Sequence, residues 1–462
     1  MTDYKKLNLL VGLEVHSQIN SHKLFCKCPS KLREGFPDLT VKRKLRAVES
    51  EVGEEDKSAV FEMLKNKEGL YEIFNESSCL IELDEEPILE INKDALKTVL
   101  TVAKMMNCNI DDELIMMRKQ VLDYSNTSGF QRTGLIARNG YINVKNNAIE
   151  IESICIEEDA ARKMKEDSKE IVYRLDRLGI PLIEIATAPD IKTPEEARDV
   201  AAHIGMILKS TGKFKSGIGT IRQDLNVSIK NGARVEIKGV QELRYIPKII
   251  ENEVKRQLEI INKGKKVREE VRKVENDLTT NFLRPMPGAS RMYVETDIPE
   301  VNTKELIKEV VIPKLISDNV KELVKKGLRE DLAKEIVRED INLDDYELDP
   351  RIAADVLIEK PKEIKTRFKL DVKRENLDKV LELLKEKKIS RDNIIDVLID
   401  LENDKFEISK YEKIDIKIIE NDVKNLIKNN LTVNAIMGIL MGKYKGKISG
   451  KELSEIIRRY EK

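Results

Sequence analysis

The chain has 462 residues, which is too long for one ordinary core and predicts two to four domains. A 40% hydrophobic fraction suits a folded protein, and 36% of the residues are charged, well above the usual quarter. Acids (84) and bases (83) nearly cancel, which excludes a global field drawing the protein to nucleic acid; any such contact needs a local basic patch. The five cysteines, Cys26, Cys28, Cys79, Cys108 and Cys155, are odd in number and mostly scattered, which argues against a disulfide framework. The opening MTDYKKLNLLVGLEVH lacks the apolar core of a signal peptide, and no run approaches the roughly 20 apolar residues of a membrane span. A cytoplasmic protein with no membrane contact is expected.

In chain order, residues 8–19 alternate apolar and polar and predict a strand, and 93–107 predict an amphipathic helix. Glu157-Glu158-Asp159 stands before Ala160-Ala161-Arg162-Lys163, which reads as a helix start. Residues 170–187 and 217–245 are strand-like, 193–209 are helical with Thr193, Pro194 and Glu196 at the opening, and 244–275 read as one charged helix. Arg284-Pro285-Met286-Pro287-Gly288 breaks the pattern. Beyond Pro299 strands become rare, and Thr303–Asp318 and Val320–Glu339 carry helical spacing. The fold class is α+β, a mixed or antiparallel sheet followed by helices.

Three places invite chemistry. Alternation puts Glu14, His16 and Gln18 on one face of the first strand, where a carboxylate and an imidazole can share a cation; a solvated face is the alternative. A hairpin turning at Lys230-Asn231-Gly232, with Gly232 in the left-handed place, pairs Ser228 with Arg234, Asn226 with Glu236 and Asp224 with Lys238. Its polar face, which includes Arg222, suits a floor for phosphates or a tRNA end, although cross-strand ion pairing on a wet surface gives the same pattern. Glu184 lies in the apolar strand PLIEIA, where a lone acid is costly unless paired, protonated or metal-bound. The acids at 157–159 also fit a helix-dipole role.

The segments VGLEVHSQIN, KLFCKCPS, LDEEP, RKQVLDYSNTSGFQRTG, EEDAAR, YRLDRLGIPLIEIATAPDI, GIGTIRQDLNVSI, GARVEIKGVQ and PMPGASRMYVETDIPEV follow one another over residues 8–301. Together they resemble the GatB/GatE family of tRNA-dependent amidotransferase subunits, and SNTSGFQRTG favours the archaeal E-type over the bacterial B-type. The resemblance implies a cradle domain over 1–299, a helical domain over 300–405 and a tail (YqeY-like) tRNA-binding domain over 406–462. It implies that ATP phosphorylates the side-chain carboxyl of Glu on Glu-tRNA(Gln), and that ammonia then displaces the phosphate. It maps a Mg²⁺ and kinase site onto Glu14, His16, Glu158 and Glu184, with His16 as ligand or orienting partner, and it makes Arg222, Asn226 and Lys238 candidate phosphate contacts to which Asp224 or Glu236 could add a metal contact. No amidase or asparaginase signature is present, so the resemblance implies a partner, an asparaginase-like glutaminase of the D type, in a heterotetramer of two D and two E subunits.

The tail carries Lys443, Lys445, Lys447, Lys451, Arg458, Arg459 and Lys462 against three acids, Glu452, Glu455 and Glu461, a patch for phosphate contacts with Tyr444 available for stacking; a solvated turn is the bland reading. E-type subunits carry a large inserted domain, and here residues 274–282 run almost straight into PMPG, so that insertion is not expected. Cys26-x-Cys28 resembles half of the zinc clamp of some B subunits, but a second cysteine pair is missing and a closed site needs four ligands, so zinc is not expected. Two other functions remain open: a B-type subunit acting also on Asp-tRNA(Asn), and a non-catalytic tRNA-binding adaptor.

Overall fold

The computed structural model describes residues 3–460 except 48–52, 54, 218–219, 289–291, 412–415, 429–430, 445–446 and 449. The chain forms two compact units, Met1–Leu315 and Ile316–Lys462. The first is α+β and carries every strand among the described residues. It begins with β1 (Leu10–Gln18), β2 (Leu39–Arg43), β3 (Glu68–Ile73), β4 (Asn109–Ile110), β5 (Glu113–Leu114), β6 (Met116–Gln120), β7 (Phe130–Val144) and β8 (Asn147–Glu158). There follow β9 (Arg162–Glu166), β10 (Glu170–Arg174), β11 (Pro181–Thr187), β12 (Ile221–Ser228), β13 (Val235–Val240), β14 (Glu270–Val274), β15 (Thr280–Pro285), β16 (Met292–Val294) and β17 (Val301–Asn302).

The main sheet runs β15-β14-β13-β12-β1-β11-β8-β7-β6-β16, with β4 also on β7. Its neighbours are antiparallel except β13 and β14, which are parallel. A second sheet runs β2-β3-β10-β9. Side chains alternate, so β1 sends Leu13 and Val15 to one face together with Ile183, Ile185, Ile154, Ile156, Leu225, Val227, Val235 and Ile237, all of them buried in one core. Three helices close that face: α2 (Lys93–Met105), α3 (Pro194–Ser210) and α4 (Ile246–Asn262), which follow the short α1 (Lys57–Leu64). The start of α3 is dictated locally. The Thr193 side chain accepts from the Glu196 N–H, Pro194 needs no donor in the first turn, and Glu195 and Glu196 meet the positive end of the helix. Its buried Ala197, Val200, Ala201, Ile204, Ile207 and Leu208 recur at three- and four-residue steps, and each large one buried is worth about 1.5–3 kcal/mol.

Three local expectations are corrected. The helix expected over 244–275 ends at Asn262, after which Gly264 takes a positive φ and residues 270–274 form β14, because Val271 is needed in the sheet core. Residues 160–163 do not open a helix; Arg162 begins β9, and the buried Asp159 is held by side chains and not by a helix end. In the hairpin, Asn226 pairs with Glu236 as expected, but an irregularity between Gln223 and Leu225 shifts the pairing beyond it. The left-handed residue is Asn231, at φ 64°, and not Gly232. Gly232 is required for another reason: a Cβ there would lie 2.1 Å from Gln257 Oε1.

The first unit runs past 299, because α5 (Lys304–Lys308) packs Leu306 and Ile307 on the same core and Ile307 O accepts from Lys104 Nζ at 2.8 Å. The second unit is helical. One apolar cluster gathers buried residues from Val320 to Tyr411, and a separate one gathers Ile419, Val423, Ile436, Leu440, Tyr444, Leu453, Ile456 and Ile457.

Candidate active site

The polar face of the main sheet carries the site, and the register builds it. On β1, Glu14 stands opposite Ala186 and Asp224, and His16 stands opposite Glu184 and Arg222. Glu184 lies opposite Cys155 on β8, two residues from Glu157, which pairs with Thr133 on β7. Alternation therefore aims Glu14, His16, Glu157, Glu184 and Asp224 out of one face.

The contacts are close. His16 Nε2 lies 3.2 Å from Glu184 Oε2 and 3.4 Å from Glu14 Oε1. Lys119 Nζ, from β6, bonds Glu157 and lies 3.5 Å from Glu184 Oε2. Glu157 also accepts from Thr133 Oγ1 at 2.8 Å and from Gln131 Nε2 at 3.0 Å. On the other flank Lys238 Nζ donates to Asp224 at 2.6 Å and pairs with Glu236 at 2.5 Å. Ligand atoms of Glu14, His16 and Asp224 lie within 4.8 Å of one another, and so do those of His16, Glu157 and Glu184.

The electrostatics follow from crowding. Burial and then the Glu184 charge raise Glu14 to about 7. Burial alone would pull His16 down, but its bond and charge contact with Glu184, with Glu14 and Asp224 behind, lift it to about 9. Burial also opposes the charge on Glu184 and Asp224; Lys119 and His16 outweigh it for the former, Lys238 and His16 for the latter, and both are held below the usual carboxylate range. Burial would lower Lys238, yet Asp224, Glu236 and Glu14 raise it. Five carboxylates (14, 157, 184, 224, 236) thus face three cations (16, 119, 238) on a largely buried but still solvent-reached strip.

Of the four residues mapped to the metal, the structure brings Glu14, His16 and Glu184 together and places Glu158 elsewhere. Its side chain leaves the opposite face of β8, the face of Ile154 and Ile156, and meets Arg132: Arg132 Nη1 lies 3.4 Å from Glu158 Oε2. There burial pushes the Glu158 carboxyl up. Glu157 takes the vacant place on the site face. That was readable from I-x-I at 154–156, which assigns even positions to the core, whereas Lys119 was hidden by the distance along the chain. Among the phosphate candidates, Lys238 flanks the site, Arg222 Nη2 donates to Asp159 Oδ1 at 2.9 Å, and Asn226 stands opposite Gly12 and Glu236. Gln18 also turns to Asp159, at 2.6 Å.

In the tail, Lys443 pairs with Asp422, Lys447 is half-buried and Lys451 is exposed; Lys445 lies outside the described residues. Tyr444 is not available for stacking, being buried with its hydroxyl donating to Asp422. Residues 274–282 run from the end of β14 at Val274 through a short turn over 275–279 into β15. No helix among the described residues is long and apolar enough to cross a membrane.

Fold and geometry define an α+β protein whose candidate functional centre is a charged strip across one large, mainly antiparallel sheet. The chain belongs to the GatB/GatE catalytic domain family, whose model matches residues 9–309. It is 53% identical over 271 residues to the E subunit of glutamyl-tRNA(Gln) amidotransferase from Methanocaldococcus jannaschii, covering 58% of this chain and 42% of that relative. It is 49% identical over 328 residues to the protein of the same name from Sulfolobus acidocaldarius, covering 71% of this chain and 48% of the relative. The Methanococcus vannielii protein of that name is 50% identical over 261 residues, 56% of this chain and 41% of the relative. The matches thus span less than half the length of these curated relatives.

Proposed function

We propose that this chain is the ATP-using subunit of a glutamyl-tRNA(Gln) amidotransferase. It transfers the γ-phosphoryl group of ATP to a side-chain carboxylate oxygen of tRNA-bound Glu, forming ADP and an acyl phosphate. Ammonia attacks the acyl carbon, phosphate leaves, and the amide of Gln-tRNA(Gln) remains. A carboxylate resists ammonia until its oxygen becomes a good leaving group, and the protein's task is positioning and charge neutralisation.

The observation that carries this reading is the charge imbalance of the strip. Five carboxylates against three cations leave two negative charges at full ionisation, and Glu14 answers by holding its proton up to about 7. A divalent cation fits that deficit. Two overlapping sets, Glu157 and Glu184 with His16 and Glu14 and Asp224 with His16, offer the oxygen ligands Mg²⁺ prefers, with His16 as a further ligand or orienting donor. Bound there, Mg²⁺ supplies neutralisation of phosphate charge. Lys119 and Lys238 flank the carboxylates and are placed to take up phosphate oxygens when ATP arrives, and Arg222 and Asn226 extend that edge. The exposed tail base Lys451, with Lys443, Lys445 and Lys447, serves the tRNA backbone. A partner glutaminase of the D type supplies the ammonia in a complex of two D and two E subunits in the cytoplasm.

Glu184→Gln decides the matter. It should cut Glu-tRNA-dependent ATP turnover at least about 100-fold while leaving tRNA affinity within about twofold. Near-normal turnover would remove the site. A wild-type chain that binds Glu-tRNA but neither hydrolyses ATP nor amidates with ammonium would make it an adaptor.

A further inference from the structure

One buried acid stands beside the charged strip without belonging to it. Asp159 follows β8 directly, and its side chain is 1% exposed. Its backbone is locked on both sides: the Asp159 N–H donates to Ile180 O at 2.8 Å, and Asp159 O accepts from the Gly179 N–H at 3.0 Å. Both carboxylate oxygens are engaged. Oδ1 accepts from Arg222 Nη2 at 2.9 Å and from the Ala160 N–H at 2.8 Å, and Oδ2 accepts from Gln18 Nε2 at 2.6 Å, with Arg177 Nε 3.9 Å away. A buried carboxylate stays charged only with such a set of donors. Burial opposes the Asp159 charge, and Arg222, Arg177 and the Gln18 bond outweigh it, holding the carboxyl below its usual range.

What this acid holds is Arg222. Arg222 stands opposite His16 of β1, at the edge of the strip, with a third of its side chain exposed, and among the described residues Asp159 is the acid paired with its guanidinium. A guanidinium carries five N–H donors in a rigid fork, so a bond to Asp159 through Nη2 fixes its plane while other donors remain for a phosphate. An arginine fixed beforehand loses less rotamer freedom when its ligand arrives. Gln18 braces the acid from the other side. It is buried, and its N–H donates to Thr220 O at 3.1 Å while its carbonyl accepts from the Lys215 N–H at 2.9 Å, so its side chain reaches Asp159 from a fixed backbone. Arg177 is pinned in turn, through Nε to Ala160 O at 2.7 Å and through Nη2 to Ala161 O at 2.8 Å.

We infer that Asp159 is a positioning residue for phosphate binding: it touches neither metal nor nucleotide, and it acts by holding the Arg222 guanidinium, with Gln18 as its brace, at the edge of the strip. This rests on the proposed reading of Arg222 as a phosphate contact.

The test is a kinetic cycle on the whole chain, with Mg²⁺, Glu-tRNA and varied ATP. Asp159→Asn keeps the shape and removes the charge. It should raise KM for ATP about 10–100-fold with kcat within about threefold, the pattern of lost uniform binding. A corner that is merely destabilised instead lowers kcat through the fraction of folded molecules and leaves KM alone. Arg222→Gln should raise KM by a similar factor, and the double variant should be no worse than Arg222→Gln, because the acid acts through the arginine. Gln18→Met, which leaves the Asp159–Arg222 pair in place, should raise KM about 2–5-fold, and not at all in the Arg222→Gln background; this second cycle carries the test if Asp159→Asn does not fold. An unchanged KM in Asp159→Asn, or factors that multiply in the double variant, overturns the inference. An ATP-using wild-type chain whose KM is unaltered by Arg222→Gln removes the inference alone and leaves the carboxylate strip standing. A wild-type chain that neither binds nor turns over ATP removes the proposed function and the inference with it.

Discussion

Glu157→Gln removes a carboxylate that bonds Lys119 and accepts from Thr133 and Gln131, whereas Glu158→Gln alters a buried pair with Arg132 on the other face of β8. In a Mg²⁺ titration of ATP turnover, the first change should lower activity about 10–100-fold with weaker metal dependence. The second should leave the metal dependence unchanged and appear in thermal unfolding, at about 1–3 kcal/mol for the disturbed Arg132. The reverse pattern would return the metal to Glu158. His16 and Glu14 give the pH dependence. His16 is raised from 6.5 to about 9, so the stability it lends is complete below 6.5 and lost as pH rises through 9; the span is about 3 kcal/mol at most. Glu14 is raised from 4.5 to about 7, so the folded state also loses stability as that carboxyl ionises above 4.5. The metal-free chain should therefore weaken steadily toward alkaline pH in urea melts, and His16→Gln should flatten the part between 6.5 and 9. At this scale the strand phase was readable for Glu14, His16 and Glu184, because apolar neighbours mark the core side. It was equally readable for Glu157, but a run of three acids invited the helix-dipole reading. The proximity of Lys119 to Glu184, or of Cys79 to Cys26, is set by tertiary pairing that no local pattern encodes.

Helices α2 and α3 could be read from their caps and apolar spacing because these signals are local, and the β12–β13 hairpin from its turn residues. Residues 244–275 deceived, because Val271 and Val274 continue the helical spacing of α4 while serving in a strand. What the hairpin sequence leaves unsaid is how tightly α4 covers the turn. Gln257, on α4, donates through Nε2 to Ala233 O at 3.2 Å and accepts the Ala233 N–H through Oε1 at 3.3 Å. A methyl at 232 would drive into that oxygen and into Ile229, both close to immovable in a packed core. Gly232→Ala should therefore cost about 1–3 kcal/mol in chemical denaturation. Asn231→Gly, by contrast, removes a positive φ from a side-chain-bearing residue and should leave stability within about 1 kcal/mol or raise it. If Gly232→Ala proved neutral, α4 would not clamp the turn as described.

At the level of the whole chain, apolar residues gather around separate centres: one under the main sheet, a smaller one at the second sheet around Tyr71 and Tyr173, one in the helices from Val320 to Tyr411, and one in the last three helices. The change of texture past Pro299 showed in the sequence as a loss of strand patterns, but the first unit keeps its own polypeptide to Leu315, since α5 is docked on the sheet core by side chains whose spacing looks like any other helix. Each unit buries its own core, so each should melt on its own. Residues 1–315 expressed alone contain Glu14, His16, Glu157, Glu184 and Lys238 and should bind ATP and divalent metal with the affinity of the full chain. They lack the tail bases and should bind tRNA more weakly, with a shallower dependence of log K on log salt, by about 0.7–0.9 for each phosphate that the tail no longer neutralises. Scanning calorimetry of the full chain should show more than one transition, one of them reproduced by the fragment and shifted upward by metal. A fragment that binds tRNA with an unchanged salt slope would mean that the tail lysines touch no phosphate, and the recognition surface would then have to be sought on the first unit itself.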